Sequence, residues 1–135
     1  YFIPANFSKL EEFKNDVIYF KGFNLFINLK EANILIDSKK LSNAMDASIA
    51  IFEKIRTETS LTIVTDGPNI ACGVSNEGVA KVQPEAIKGT ASRLGAGDAF
   101  FAYFLSYKEL NPSASLKKSL YAANKKIQNH LKAND

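Results

Sequence analysis

Three short stretches of this sequence carry residue types suited to handling a phosphoryl group, and one of them could also move a proton. In RLGAGDAFFAYF, Arg93 to Phe104, two glycines and an acid stand just before a run of apolar and aromatic residues. Gly95 and Gly97 let the backbone turn tightly and leave amides bare for a ligand. If a helix begins there, its first N–H groups point outward without partners, with the positive end of the dipole behind them. Such a place receives anions and suits the oxygens of a phosphoryl group in transfer. Asp98, in the same turn, could accept the proton of an attacking hydroxyl. The plainer account, that Asp98 only complements the helix dipole, is worth a few tenths to about 1 kcal/mol. It leaves two glycines at a helix start unexplained, so the functional reading is favoured.

The second stretch is Asn28-x-x-Glu31, directly after an apolar run. An Asn followed three residues later by Glu is a helix-capping pair, and by itself the cap is preferred over a ligand site. The functional alternative is a carboxylate aimed at Mg²⁺ through water, since that ion keeps much of its hydration. The third is Thr65-Asp66-Gly67, closing LTIVTDG. Ligands of open α/β sheets collect beyond the carboxyl ends of parallel strands, where a small hydroxyl and a glycine could line a nucleotide's phosphates. Alone, it reads as an ordinary strand-ending turn. Neither GxxxxGK[ST] nor GxGxxG occurs, so Walker-type and dinucleotide fingerprints are missing. Cys72, within a strand pattern, reads as core, and His130 as solvated.

The elements that must position these residues follow from periodicity and capping. Ser8 with Glu11 predicts a short helix over residues 8–15. DVIYF (16–20) and FNLFIN (23–28) read as short strands. Leu29, Ala32, Leu35 and Ile36 have helical spacing, and a stronger helix is predicted over 42–57. LTIVTDG (61–67) reads as a buried strand of a parallel sheet. IACGVS and GVAKVQ flank Asn76-Glu77-Gly78 as a hairpin, and 84–94 reads as polar loop. A buried helix is predicted over 96–109, stopped at Asn111-Pro112. Leu116, Leu120, Ala123, Ile127 and Leu131 mark a last amphipathic helix. The order predicts an α/β layered fold, one domain or part of one.

The totals agree with that class. The chain has 135 residues, 46% hydrophobic and 23% charged, with a net charge of +3. The small excess, without basic runs, argues against nucleic acid. One cysteine and one histidine argue against a disulfide framework and a Cys/His zinc site, and point to a reducing, cytoplasmic setting. No apolar run is long enough for a membrane span.

Taken in order, FINLKEANIL, TIVTDGPNIACGV and LGAGDAFFAYFLS resemble the C-terminal half of the ribokinase-like, or PfkB, carbohydrate kinase family. The resemblance covers nearly all of residues 1–135, and it implies a three-layer, Rossmann-like ribokinase fold of which only the C-terminal part is present. It makes Asp98 the base that activates the acceptor hydroxyl, and Gly95, Ala96 and Gly97 an amide anion hole. Asn28 and Glu31 would place Mg²⁺ and phosphates, and Thr65 and Gly67 would line ATP. The implied acceptor is a sugar or nucleoside. IPANFSKLEEF ahead of the N-x-x-E segment is also similar to the pseudouridine-kinase branch. Ser92, Arg93 and Leu94 stand where members often carry Asp-Thr-Thr or Asn-x-x, and the loss of an acid six residues before Asp98 tells against the monovalent-cation site of some members.

The substrate and lid half of the family is expected to lie outside this chain. A sheet without those neighbours should expose an apolar edge, open to pairing with a second copy as a homodimer. The expected function is ATP-dependent phosphoryl transfer to a hydroxyl, with the 135 residues inactive alone. The alternative is a non-catalytic nucleotide-binding or interaction module.

Overall fold

The structure is a computed structural model that describes residues 24–36, 41–55, 57, 60–84 and 96–133. The expected helix over 8–15 and strand over 16–20 lie outside these residues, as do Gly95 and most of the loop over 84–94. So do the side chains of Ala96, Asp98, His130 and Leu131.

The first described element, β1 (Asn24–Asn28), passes without a loop into α1 (Leu29–Ile36). Helix α2 (Ala44–Ile55) begins two residues later than its periodicity suggests. Asn43 explains the delay: its Oδ1 accepts the Asp46 N–H at 2.8 Å, which makes it the cap. The helix also ends two residues early, because Ser60 Oγ donates to the Ile55 carbonyl and accepts the Thr57 N–H. Strand β2 (Leu61–Thr65) is followed by the hairpin of β3 (Ala71–Ser75) and β4 (Gly78–Val82). Helix α3 (Ala96–Leu110) closes with the Asn111 N–H on the Tyr107 carbonyl at 2.8 Å. Last comes α4 (Leu116–Ala133), capped by Ser115 Oγ on the Lys118 N–H and by Glu77 Oε2 on the Leu116 N–H.

The sheet order is β1-β2-β3-β4. The parallel expectation for β2 holds on one side only: β2 pairs parallel with β1 and antiparallel with β3. The reason is chain length. Helices α1 and α2 make the crossover that a parallel pair requires, whereas five residues join β2 to β3 and two join β3 to β4.

Strand alternation divides the core between two faces. Leu25, Ile27, Val64, Cys72 and Val74 pack under α1 and α2. Phe26, Ile63, Ala71, Ala80 and Val82 pack under α3 and α4. Among the described residues the result is three layers, helices over sheet over helices. The apolar runs of β1 to β3 are near-continuous because both faces are covered, whereas edge strand β4 buries only alternate residues. Phe26 anchors the second face, its ring 5.2 Å from Phe101 and 5.6 Å from Phe104 between centroids.

On that face α4 comes close because β3 carries Gly73. A Cβ there would lie 3.0 Å from Leu120 Cδ1, 3.2 Å from Leu116 Cδ1 and 3.5 Å from Ile63 Cγ1. Gly73→Val is expected to destabilise the fold by about 1–3 kcal/mol through overpacking. Urea unfolding checks this, and an unchanged midpoint would mean that α4 is not seated on the strand.

Candidate functional site

The three stretches meet at the carboxyl end of β1 and β2. Asn28 and Thr65 are the last residues of the two parallel strands and are partners in register, so the second and third stretches meet side by side. After Thr65 the chain reverses through Asp66 to Asn69, the Asn69 N–H donating to the Asp66 carbonyl at 2.9 Å. Gly67 sits in this turn at φ 55°, a left-handed conformation that favours glycine. The first stretch arrives from α3. Gly97, in its first turn, faces the strand end so closely that a Cβ there would lie 3.9 Å from Thr65 Oγ1.

Gly67, Gly97 and Thr65 line one cavity of about 90 Å³, walled by Phe100 of α3 and Ile127 of α4. A short relay of hydrogen bonds holds the turn against α4. Gln83 Nε2 donates to the Pro68 carbonyl at 3.0 Å, and Asn124 Nδ2 donates to the Gln83 carbonyl at 3.3 Å. Asp98 is the third residue of α3, so the acid belongs to the turn that opens onto this cavity. Gly95 lies outside the described residues.

Asn28 and Glu31 form the capping pair expected of them. The Asn28 N–H donates to Glu31 Oε1 and the Glu31 N–H donates to Asn28 Oδ1, each at 2.8 Å. Two donors at the start of α1 are thereby satisfied, and the carboxylate is held against the end of β1. Among the described residues no three of His, Cys, Asp and Glu gather around one point. A dehydrated metal cage is therefore not what these side chains build. Neither Asn28 nor Glu31 lines the cavity; a single carboxylate at the end of the neighbouring strand fits a divalent ion that keeps its waters, as Mg²⁺ does. A nucleotide's phosphates fit the bare backbone at Gly67 and Gly97, one at a strand-end turn and one at a helix start.

Cys72 is fully buried in the first core, and burial pushes its thiol above the ordinary value against the weaker pull of Ser48 and Lys81. It is packing, as its strand position implied. Sequence reasoning missed Asn124 and Gln128, which line the cavity from α4. Their signal was present: the two amides are four residues apart and continue the row that starts at the buried Leu116 and Leu120.

By sequence, the chain matches no protein-family model and no curated protein. By structure it is similar to adenosine kinase from Trypanosoma brucei brucei, with a TM-score of 0.67 at 18% identity, covering 93% of this chain and 38% of that one. Against phosphofructokinase-2 from Escherichia coli, solved with substrates and products, the TM-score is 0.61 at 23% identity, covering 85% and 43%. Against an Escherichia coli structure described as ribokinase II, in complex with ATP and Mg²⁺, it is 0.58 at 19% identity, covering 78% and 32%. The chain thus spans between about a third and two-fifths of the length of these neighbours, which are ribokinase-like and PfkB-family kinases. Likenesses at this identity define the fold. The chain has the α/β architecture of the ribokinase-fold kinases, with a four-stranded sheet and helices on both faces. Among the described residues, no helix is long and apolar enough to cross a membrane.

Proposed function

We propose that this chain is the nucleotide-binding and catalytic part of a PfkB-type kinase, which transfers the γ-phosphoryl group of ATP to a hydroxyl of a sugar or nucleoside. The observation that supports this most is the meeting of Gly67, Gly97 and Thr65 on one cavity at the carboxyl end of parallel strands. Asp98 takes the proton of the acceptor hydroxyl, that oxygen forms the new bond to phosphorus, and the bond to ADP breaks. The amides of Gly95, Ala96 and Gly97 stabilise the charge on the transferring group. Asn28, Thr65 and Gly67 hold the phosphates, and Glu31 places Mg²⁺ through its water shell. The metal, when bound, neutralises phosphate charge. The protein carrying out this reaction acts on small molecules in the cytoplasm.

The test is Mg²⁺-dependent ADP formation by the full-length protein, with ribose, fructose phosphates, adenosine and pseudouridine as acceptors. Turnover on one of them establishes the kinase and its substrate together. ATP binding with no turnover on any acceptor moves the reading to a non-catalytic nucleotide-binding module.

Gly97→Ala separates the fold from the site. In a helix, alanine is favoured over glycine by up to about 1 kcal/mol, and the added methyl meets nothing closer than 3.9 Å. The same methyl covers backbone that the phosphates approach. The expected outcome is a variant at least as stable as the wild type that binds MgATP about tenfold more weakly, about 1.4 kcal/mol. Calorimetry and a melting curve read both halves. Unchanged affinity would remove Gly97 from the anion cradle.

A further inference from the structure

The cavity is lined by a side chain with no hydrogen-bond partner among the described residues. Gln128 is 4% exposed and lines the cavity, yet both its Oε1 and its Nε2 are buried without a hydrogen-bond partner among the described residues. Asn124, one turn earlier on α4, is already engaged with the Gln83 carbonyl. Buried amides nearly always find partners, so one left open on both sides calls for an explanation. Packing does not supply it, because an apolar side chain of the same length would fill the place without an unmet polar group.

The surroundings describe the missing partner. Gly67 and Gly97 offer bare backbone suited to an anionic group. Phe100 and Ile127 offer apolar walls suited to a flat, apolar body. The carboxamide offers one donor and one acceptor side by side, and its complement is a planar edge carrying an acceptor next to a donor. An aminopurine has that edge: its amino group donates while the adjacent ring nitrogen accepts, the bidentate pairing that Asn and Gln make with adenine. Guanine's edge at N7 and O6 presents two acceptors and leaves the carboxamide's oxygen unmet.

We propose that Gln128 is a specificity-determining residue that reads the amino edge of adenine, so that the site selects an adenine nucleotide by hydrogen bonds and not by phosphates alone. The proposal rests on the nucleotide reading of the cavity. It also accounts for the orphaned amide, which is held ready by α4 and satisfied only when the base arrives.

The experiment is calorimetric binding to the full-length protein, wild type and Gln128→Met, with three Mg²⁺-loaded probes. These are ATP, purine riboside 5′-triphosphate (which lacks the amino group) and inorganic tripolyphosphate. Wild type is expected to lose roughly 10- to 100-fold from ATP to the purine riboside probe. Gln128→Met should lose a similar factor for ATP, stop distinguishing the two nucleotides, and bind tripolyphosphate as wild type does. Without ligand, its melting temperature should equal or exceed that of wild type, since an unmet polar group has been removed.

Equal affinity of wild type for the two nucleotides overturns the proposal, and needs no variant to show it. So does a Gln128→Met protein that binds ATP as tightly as wild type. A parallel loss of ATP and tripolyphosphate binding with a lowered melting temperature makes Gln128 structural and also overturns it. If wild type binds none of the three probes, the nucleotide reading itself falls and takes this inference with it.

Discussion

Asp98→Asn in the full-length protein is expected to lower kcat by about 10²- to 10⁴-fold and to leave MgATP affinity within a few-fold of wild type. Asparagine matches aspartate in size and removes only the charge, so the helix start is expected to be retained. What is lost is the ability to take a proton, and with it the only step in which the acceptor oxygen becomes a nucleophile. The purely structural account of this acid makes a different forecast. A dipole-complementing charge contributes about 0.3–1 kcal/mol, so its loss would lower the melting temperature slightly and leave turnover per folded molecule unchanged. A coupled ADP assay beside a melting curve decides between the two. Full activity in the variant removes Asp98 from the chemistry, whatever becomes of its neighbours.

Phe26→Ala is expected to cost about 3–5 kcal/mol. Phe26 is fully buried on the face that receives α3, stacked on Phe101 and edge-on to Phe104. Truncating it removes the centre of a three-ring cluster and leaves a cavity between β1 and the helix that bears Gly97 and Asp98. Because β1 also ends in Asn28, two residues further on, the damage reaches the site from both sides. Chemical denaturation should show the loss in midpoint. ATP affinity should fall with it even under conditions where the variant remains folded. Phe26→Leu, which keeps much of the apolar volume, should recover most of both. A variant that loses stability but binds ATP normally would show that the α3 start is held by other contacts.

Much of the architecture is legible in the residues because it is local. The capping pair at Asn28 and Glu31, the helix over 29–36, the hairpin around Asn76-Glu77 and the stop at Asn111 are all set by neighbours within four residues, and each lies where its pattern implies. Sheet order was less legible, since the direction of β3 against β2 depends on how far the chain travels between them. The meeting of Thr65 with Gly97 spans more than thirty residues, and no local pattern encodes it; only the family resemblance placed the two at one site. Gln128 escaped notice for another reason. At sequence level an amide beside Ile127 looks like the polar border of an amphipathic helix, and only burial distinguishes a border from an unsatisfied group.

Two hydrogen bonds give α4 the character of a ruler. Glu77 Oε2 grips its first amide at Leu116, and the Gln83 carbonyl receives Asn124 two turns along. Both grips come from one hairpin, so the helix cannot slide along the sheet without breaking the pair. From Leu116 to Gln128 the rise is then about 18 Å, and that span alone sets how deep the amide reaches into the cavity. Residues could be added to or removed from the connection between Leu110 and Leu116 over evolutionary time without moving Gln128. A single residue gained within 117–123 would turn it by about 100° and present another side chain to the cavity. Relatives of this chain should therefore vary in length freely before Leu116 and hardly at all between Leu116 and Gln128.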